Sequence, residues 1–158
     1  MVKTQPEVAQ IWSWLEEVAD PEIPIISVAD LGIVRDIKWL DDELVVTLTP
    51  TYSGCPATEV IARDVSEALS ARGIENVRLE TKISPPWTTD WISERGRERL
   101  REFGIAPPAS GLIQIENIAC PRCGSLETEM ISRFGSTPCK AIYKCRACLE
   151  PFDVFKRH

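Results

Sequence analysis

Cys120-Pro-Arg-Cys123-Gly124 and Cys145-Arg-Ala-Cys148 are two Cys-x-x-Cys knuckles that can together present four thiolates to one metal ion. Two residues between the cysteines let a tight turn aim both sulfurs at one point. Two such turns complete a tetrahedron with sulfur–metal distances of about 2.3 Å. Gly124 is expected to close the first turn, where a side chain would crowd the backbone. The 21 residues between the knuckles slightly exceed the usual zinc spacing of about 15–20 and suit a hairpin. Residues 127–134 and 141–144 read as its strands, with Gly135-Ser-Thr-Pro138 between them, and residues 151–155 alternate as a further short strand. The module is therefore expected to be a zinc ribbon in which a structural metal replaces a core too small to fold alone. A redox role is the alternative, because four thiolates accept zinc or iron. The symmetry of the knuckles makes Cys120, Cys123, Cys145 and Cys148 the preferred ligands. Cys139 is left as an alternative ligand, a thiol beside the metal or a spare.

A second chemical candidate stands apart from the ribbon. Cys55 precedes an expected helix, where unpaired N–H groups and the helix dipole favour a thiolate. The competing reading is a small buried cysteine that fills space under a loop. Asp20, Glu22 and Asp30 lie in turn-rich segments upstream. They could serve as hard metal ligands or acid–base groups, although Asp more commonly caps and ties loops. One cysteine cannot hold an iron–sulfur cluster by itself, so a second chain, a partner's thiols or a small thiol would complete such a site.

The elements that must position these residues can be read in order. Thr4-Gln-Pro-Glu7 has the spacing of a capping box, and Val8, Ile11, Leu15 and Val18 continue with helical period. Residues 33–39 and 44–48 flank an Asp41-Asp-Glu43 turn and read as two strands. A helix is expected from about Ala57 to Arg72, burying Val60, Ile61, Val65, Ala68 and Leu69 and stopping at Gly73. Residues 77–83 alternate as a third strand, and a third helix from about Asp90 carries Ile92, Leu100 and Phe103. The order is α-β-β-α-β-α, an α+β domain over residues 1–105. A linker over 106–111 and a β-rich ribbon over 112–158 follow, the ribbon opening with an alternating strand at 112–118. The Arg95-Gly-Arg-Glu-Arg-Leu-Arg101 run interleaves with Glu94, Glu98 and Glu102 and reads as a solvated face. Trp87-Thr-Thr-Asp-Trp91 is either an interaction surface or packed under a loop.

Composition excludes several functions. The chain has 158 residues and a net charge of −6, with 11 basic and 19 acidic side chains before residue 112 and 7 and 5 after it. Metal-bound thiolates would cancel the small positive excess of the ribbon, leaving no footprint for nucleic acid. No apolar run approaches the ~20 residues needed to span a membrane. With no signal-peptide core at the start, a cytoplasmic, reducing setting is expected. The single histidine, His158, gives no base for a Ser-His-Asp or Cys-His nucleophile. A di-iron oxygenase would need sets of Glu and His on helices, and a reductase a nucleotide-binding glycine fingerprint. The chain has neither, so direct catalysis is disfavoured.

Asp20-Pro-Glu-Ile-Pro24, Asp30-Leu-Gly-Ile-Val34, Thr51 through Gly54-Cys55-Pro56, and Pro85-Pro-Trp87 resemble the signature of SufT-type and eukaryotic cytosolic iron–sulfur assembly domains. Adding Cys120-Pro-Arg-Cys-Gly, Phe134-Gly-Ser-Thr-Pro-Cys139-Lys, the second knuckle and Glu150-Pro-Phe-Asp, the whole chain resembles the PaaD family of bacterial phenylacetate degradation. That resemblance implies an accessory factor encoded with phenylacetyl-CoA epoxidase, a di-iron monooxygenase served by an iron–sulfur flavoprotein reductase. It implies no catalysis by this chain, and assistance to iron or iron–sulfur maturation of the oxygenase subunits or the reductase. Cys55 matches the cysteine tied to iron or cluster transfer. A rubredoxin-like electron carrier and a non-catalytic structural subunit are the alternatives.

Overall fold

The computed structural model describes residues 4–52, 54–108 and 118–156. They form two compact units, one up to Trp87 and one from Thr88 onward.

The first unit carries helix α1 (Val8–Leu15), strands β1 (Val34–Leu40) and β2 (Glu43–Leu48), helix α2 (Thr58–Ser70) and strand β3 (Val77–Thr81). Its sheet has the order β1-β2-β3, antiparallel between β1 and β2 and parallel between β2 and β3. A parallel neighbour needs a crossover, and α2 supplies it. The central strand is buried from Leu44 through Leu48, as a strand covered on both faces must be. Ile11 and Leu15 of α1, and Ile61, Val65 and Leu69 of α2, complete this core at helical spacing. Val60 and Ala68, expected inside, are only partly covered.

Two local features depart from the sequence pattern. Glu7 is the N-cap of α1 and its side chain makes no cap bond, so the Thr4/Glu7 capping box does not form. Pro6 fixes the approach instead: its carbonyl accepts a 3.1 Å bond from Trp39 Nε1, and Gln5 Nε2 donates to the Asp41 carbonyl at 2.6 Å. In β1 a bulge between Val34 and Asp36 lets Val34 and Ile37 both face inward across an odd spacing.

The second unit starts with a 3-10 turn at Thr89–Trp91 that the sequence pattern did not suggest, then helix α3 (Glu94–Glu102). Ser93 Oγ caps α3 by accepting from Gly96 N at 3.0 Å. The arginine run is not wholly a solvated face. Arg97 is buried, and its guanidinium donates to the carbonyls of Thr89, at 2.8 Å, and Pro108. It shares a helix face with Leu100, three positions on, and holds the segments before and after α3 together. Phe103, expected to pack inward, is 65% exposed because it stands at the C-cap, where the helical face ends.

Ala106, expected to open a linker, is instead buried in strand β4 (Ile105–Ala106). Strands β5 (Thr128–Ser132), β6 (Lys140–Cys145) and β7 (Pro151–Phe155) complete a sheet of order β4-β7-β6-β5. β4 runs parallel to β7, and the two hairpin pairings are antiparallel. The strand expected over 112–118 lies, apart from Ile118, outside the described residues. Among those residues, no helix is long and apolar enough to cross a membrane.

Candidate metal centre

Each knuckle is closed by the same backbone bond, from its first cysteine to the residue five positions on. Cys120 N donates to Ser125 O at 2.9 Å, and Cys145 N donates to Glu150 O at 3.0 Å. Within these frames Gly124 and Leu149 are equivalent, each following the second cysteine, and both are left-handed, at φ 76 and 65. A Cβ on Gly124 would meet nothing within 4 Å. The glycine therefore answers to backbone conformation and not, as expected, to crowding. At the second knuckle a leucine accepts the same conformation, with its side chain 66% exposed.

The frames bring Cys120, Cys123, Cys145 and Cys148 together, with all four sulfurs within 4.8 Å of one another. Cys120 and Cys148 sulfurs are 3.8 Å apart, and those of Cys123 and Cys145 are 3.6 Å apart. A tetrahedral ion with four thiolates at ~2.3 Å requires sulfur–sulfur edges of about 3.8 Å, so the pocket fits such an ion. Cys120 and Cys145 are buried, and Cys123 and Cys148 face the surface. Cys120 and Cys145 also belong to the small apolar cluster of this sheet, with Ala106, Phe152 and Val154. Ligands and core are thus partly the same residues.

The two sulfurs of the second knuckle are electrostatically unlike. The N–H of Cys148, 3.5 Å from Cys145 Sγ, is the largest influence on that thiol. With the N–H of Ala147 and contacts from Cys123 and Cys148, it outweighs burial and brings Cys145 down to about 7. At Cys148 the Glu150 N–H lowers the value, but burial and the neighbouring sulfurs win and push it up to about 11. Neighbouring thiols that oppose each other's ionisation are what a divalent cation would relieve.

Cys139 is buried at the opposite end of β6, where its sulfur lies 3.0 Å from Thr137 Oγ1. Six residues of strand put it roughly 20 Å from Cys145, and it is not part of the four-sulfur group.

In the first unit, the segments that carried the other candidates meet where β1 begins and β2 and β3 end. Thr49 N donates to Ile33 O at 2.8 Å, Lys82 N to Leu48 O at 2.9 Å, and Trp87 Nε1 to Leu31 O at 2.9 Å. Trp87 is buried by this arrangement. Cys55 is half-buried in the loop between β2 and α2, after Gly54 at φ 79. Its N–H donates to Tyr52 O at 3.3 Å, and its carbonyl accepts from Thr58 N at 3.2 Å. No side chain caps α2. Asp20 is buried, and its Oδ1 accepts from the N–H groups of Glu22 and Ile23, at 2.9 and 2.8 Å. Burial pushes its carboxyl above the ordinary range against those two bonds. Asp30 is tied to Ser27, whose Oγ donates to Oδ2 at 3.1 Å and accepts from Asp30 N at 3.0 Å. Glu22 is half-buried in the same turn as Asp20. Among the described residues the four ribbon sulfurs are the one ligand-atom group of three or more. Cys55, Asp20, Glu22 and Asp30 are not gathered into another.

Comparison with known proteins divides along the same lines. Residues 8–78 match a family described as iron-sulfur cluster assembly protein, and residues 106–156 match the PaaD zinc beta ribbon domain. Over 154 residues the chain is 47% identical to an Escherichia coli protein named as one of the subunits of 1,2-phenylacetyl-CoA epoxidase, spanning 96% of this chain and 93% of that one. It is 36% identical to an Fe-S protein maturation auxiliary factor of Porphyromonas gingivalis, over 58% of this chain and 85% of that protein. A crystal structure of a domain of unknown function from Bacillus anthracis superposes with a TM-score of 0.54 at 29% identity, covering 58% of this chain and 89% of that domain.

Proposed function

Since the chain belongs to the PaaD family, we propose that it is a non-catalytic accessory factor. Its task is to assist iron or iron–sulfur maturation in a phenylacetyl-CoA epoxidase system. The observation that carries this reading is the pairing, in one chain, of an assembly-type unit over 8–78 with a four-thiol ribbon over 106–156. The Fe-S protein maturation auxiliary factors of Porphyromonas gingivalis and Bacillus subtilis match only 58% and 54% of the chain. The ribbon is then the feature that directs a general activity to one client.

In this reading Cys55 supplies one thiolate to iron or to a cluster in transit, and the client, a second chain or a small thiol supplies the rest. Cys55 is half-buried in the loop just before α2, whose first turn has no side-chain cap. Asp20 and Asp30 act mainly by holding their turns, and Glu22, in the same turn as Asp20, is a carboxylate for cargo. The ribbon cysteines hold structural zinc, which completes a core too small to stand alone. The oxygenase subunits or their iron–sulfur reductase are the partners, docked by the ribbon.

The test is to produce the epoxidase components with and without this chain and to measure their iron and acid-labile sulfide. The reading predicts under-loaded oxygenase or reductase without the chain, and a full complement with it. Equal loading in both preparations would remove it. Iron in the ribbon is the second reading, favoured by a donor set that suits either metal. A colourless protein holding one zinc excludes it, whereas a red protein with a reducible visible band supports it.

A further inference from the structure

Sulfurs of the ribbon are in contact across the two knuckles: Cys120 Sγ lies 3.8 Å from Cys148 Sγ, and Cys123 Sγ 3.6 Å from Cys145 Sγ. In each pair one sulfur belongs to a buried residue, Cys120 or Cys145, and the other to a residue at the surface, Cys148 or Cys123. Contacts other than a metal hold the knuckles opposite each other. Arg146 of the second knuckle donates from its N–H to Glu127 O at 2.7 Å and from its guanidinium to Glu129 at 2.6 Å, both just past the first knuckle. Arg122 of the first stands 3.9 Å from Glu150, just past the second, and Thr128 on β5 is paired with Cys145 on β6. Each cross pair therefore has only about 2 Å to close before its sulfurs reach the ~2.05 Å of a disulfide. Closing a knuckle on itself would instead redraw a turn that its own bonds fix, from Gly124 N to Cys120 O at 2.9 Å in the first and from Cys148 N to Cys145 Sγ at 3.5 Å in the second.

We propose that the ribbon has a second closed state, in which peroxide converts the four thiolates into two nested disulfides, Cys120–Cys148 and Cys123–Cys145, that replace the metal as the tie between the knuckles. In each pair the surface sulfur attacks one peroxide oxygen, the O–O bond breaks, and the departing oxygen leaves as water. The buried sulfur then attacks the resulting sulfenic acid, the S–S bond forms and the S–O bond breaks, releasing a second water. Each pair gives up two electrons to one peroxide, and solvent supplies the two protons that metal-bound thiolates lack. The ribbon then has no thiolate donors and releases its metal ion. The two cross-links span 28 and 22 positions. A cross-link of that length restricts the unfolded chain far more than one spanning the three positions of a single knuckle. The oxidised ribbon thus keeps its sheet while losing its metal. This state rests on the reading of the ribbon metal as a structural tie and is independent of the transfer role given to Cys55.

Peroxide treatment of the metal-loaded full chain, with remaining thiols alkylated before digestion, tests this. Trypsin cuts after Arg122 and Arg146, inside both knuckles, so the two cysteines of a knuckle fall in different peptides and every pairing is distinguishable by mass. The expected products are Cys120 joined to Cys148 and Cys123 joined to Cys145, with the buried Cys139 still reduced. One metal ion should be released per chain, and dithiothreitol should restore metal binding. Hydrogen-exchange protection across 118–156 should survive in this metal-free oxidised chain and be lost in a reduced chain stripped by a chelator. Disulfides within a knuckle, disulfides between chains, thiolates left intact on the metal under excess peroxide, or an oxidised ribbon as unprotected as the chelated one would each overturn the proposal. Metal analysis before peroxide is added judges the structural-tie reading separately: a chain without ribbon metal at that stage refutes that reading, and the disulfide map still decides the pairing.

Discussion

Gly124 and Leu149 occupy the same place in the two knuckles, which makes them an internal control for backbone conformation. Both are left-handed, at φ 76 and 65. A side chain in that region costs about 1–2 kcal/mol. Glycine relieves that cost but gives back about 0.4–1 kcal/mol through the greater freedom of its unfolded chain. Gly124→Ala should therefore destabilise the ribbon by about 0.5–1 kcal/mol, since its Cβ would meet nothing within 4 Å and adds no clash. Leu149→Gly should stabilise by a similar amount, because the leucine is 66% exposed and little packing is lost. Metal binding and ribbon folding are coupled, so zinc competition against a chromophoric chelator reads both. The expected shifts are about two- to fivefold, weaker for Gly124→Ala and tighter for Leu149→Gly. Equal signs, or a Leu149→Gly variant that binds zinc more weakly than wild type, would refute the equivalence of the two turns.

Three further outcomes follow from the packing. Arg97→Ala should destabilise the second unit by about 2–4 kcal/mol in urea denaturation, because it strands the Thr89 and Pro108 carbonyls, and Arg97→Lys should recover only part of this. Asp20→Ala should cost about 1–2 kcal/mol by freeing two N–H groups, whereas Asp20→Asn keeps an acceptor and should cost much less. The folded Asp20 carboxyl titrates above its unfolded value, so its charge costs stability above that folded pKa and the cost fades as pH falls through it. Wild type should accordingly gain on Asp20→Asn as the medium is acidified, a difference visible in paired urea titrations. Chelation of the ribbon metal should abolish hydrogen-exchange protection across 118–156 while β2 and α2 keep theirs. The ribbon cluster contains two of the ligands, whereas the first unit has its own core.

The features legible in the sequence were those set by short-range patterns. Knuckle spacing located the four sulfurs because a two-residue turn fixes where both must point, and the α-β-β-α-β-α order came from periodicity bounded by Gly and Pro. What the patterns missed was decided by tertiary contact. The Thr4/Glu7 cap lost to anchoring of Pro6 and Gln5 by Trp39 and Asp41. The interleaved charges around Arg97 concealed that its side chain faces Leu100 and not water, and its spacing from Ser93 and Leu100 was the available signal. β4 has only two residues, and its partner lies almost fifty positions away in β7, so no local pattern could announce it. Leu149 was not read as a left-handed residue, although its alignment with Gly124 in the repeated knuckle marked it. At Cys55 the sequence indicated a loop before a helix, and the structure adds the tethers that tie the Thr49 and Trp87 segments to the residues just after Asp30.

The proposed function divides labour between a structural ribbon and a transferring cysteine, and the Cys55→Ala chain separates the two. It should fold, retain one equivalent of metal on the ribbon thiols, and leave anaerobically matured oxygenase or reductase short of iron and sulfide. Components fully metallated and active after maturation with Cys55→Ala would contradict that division.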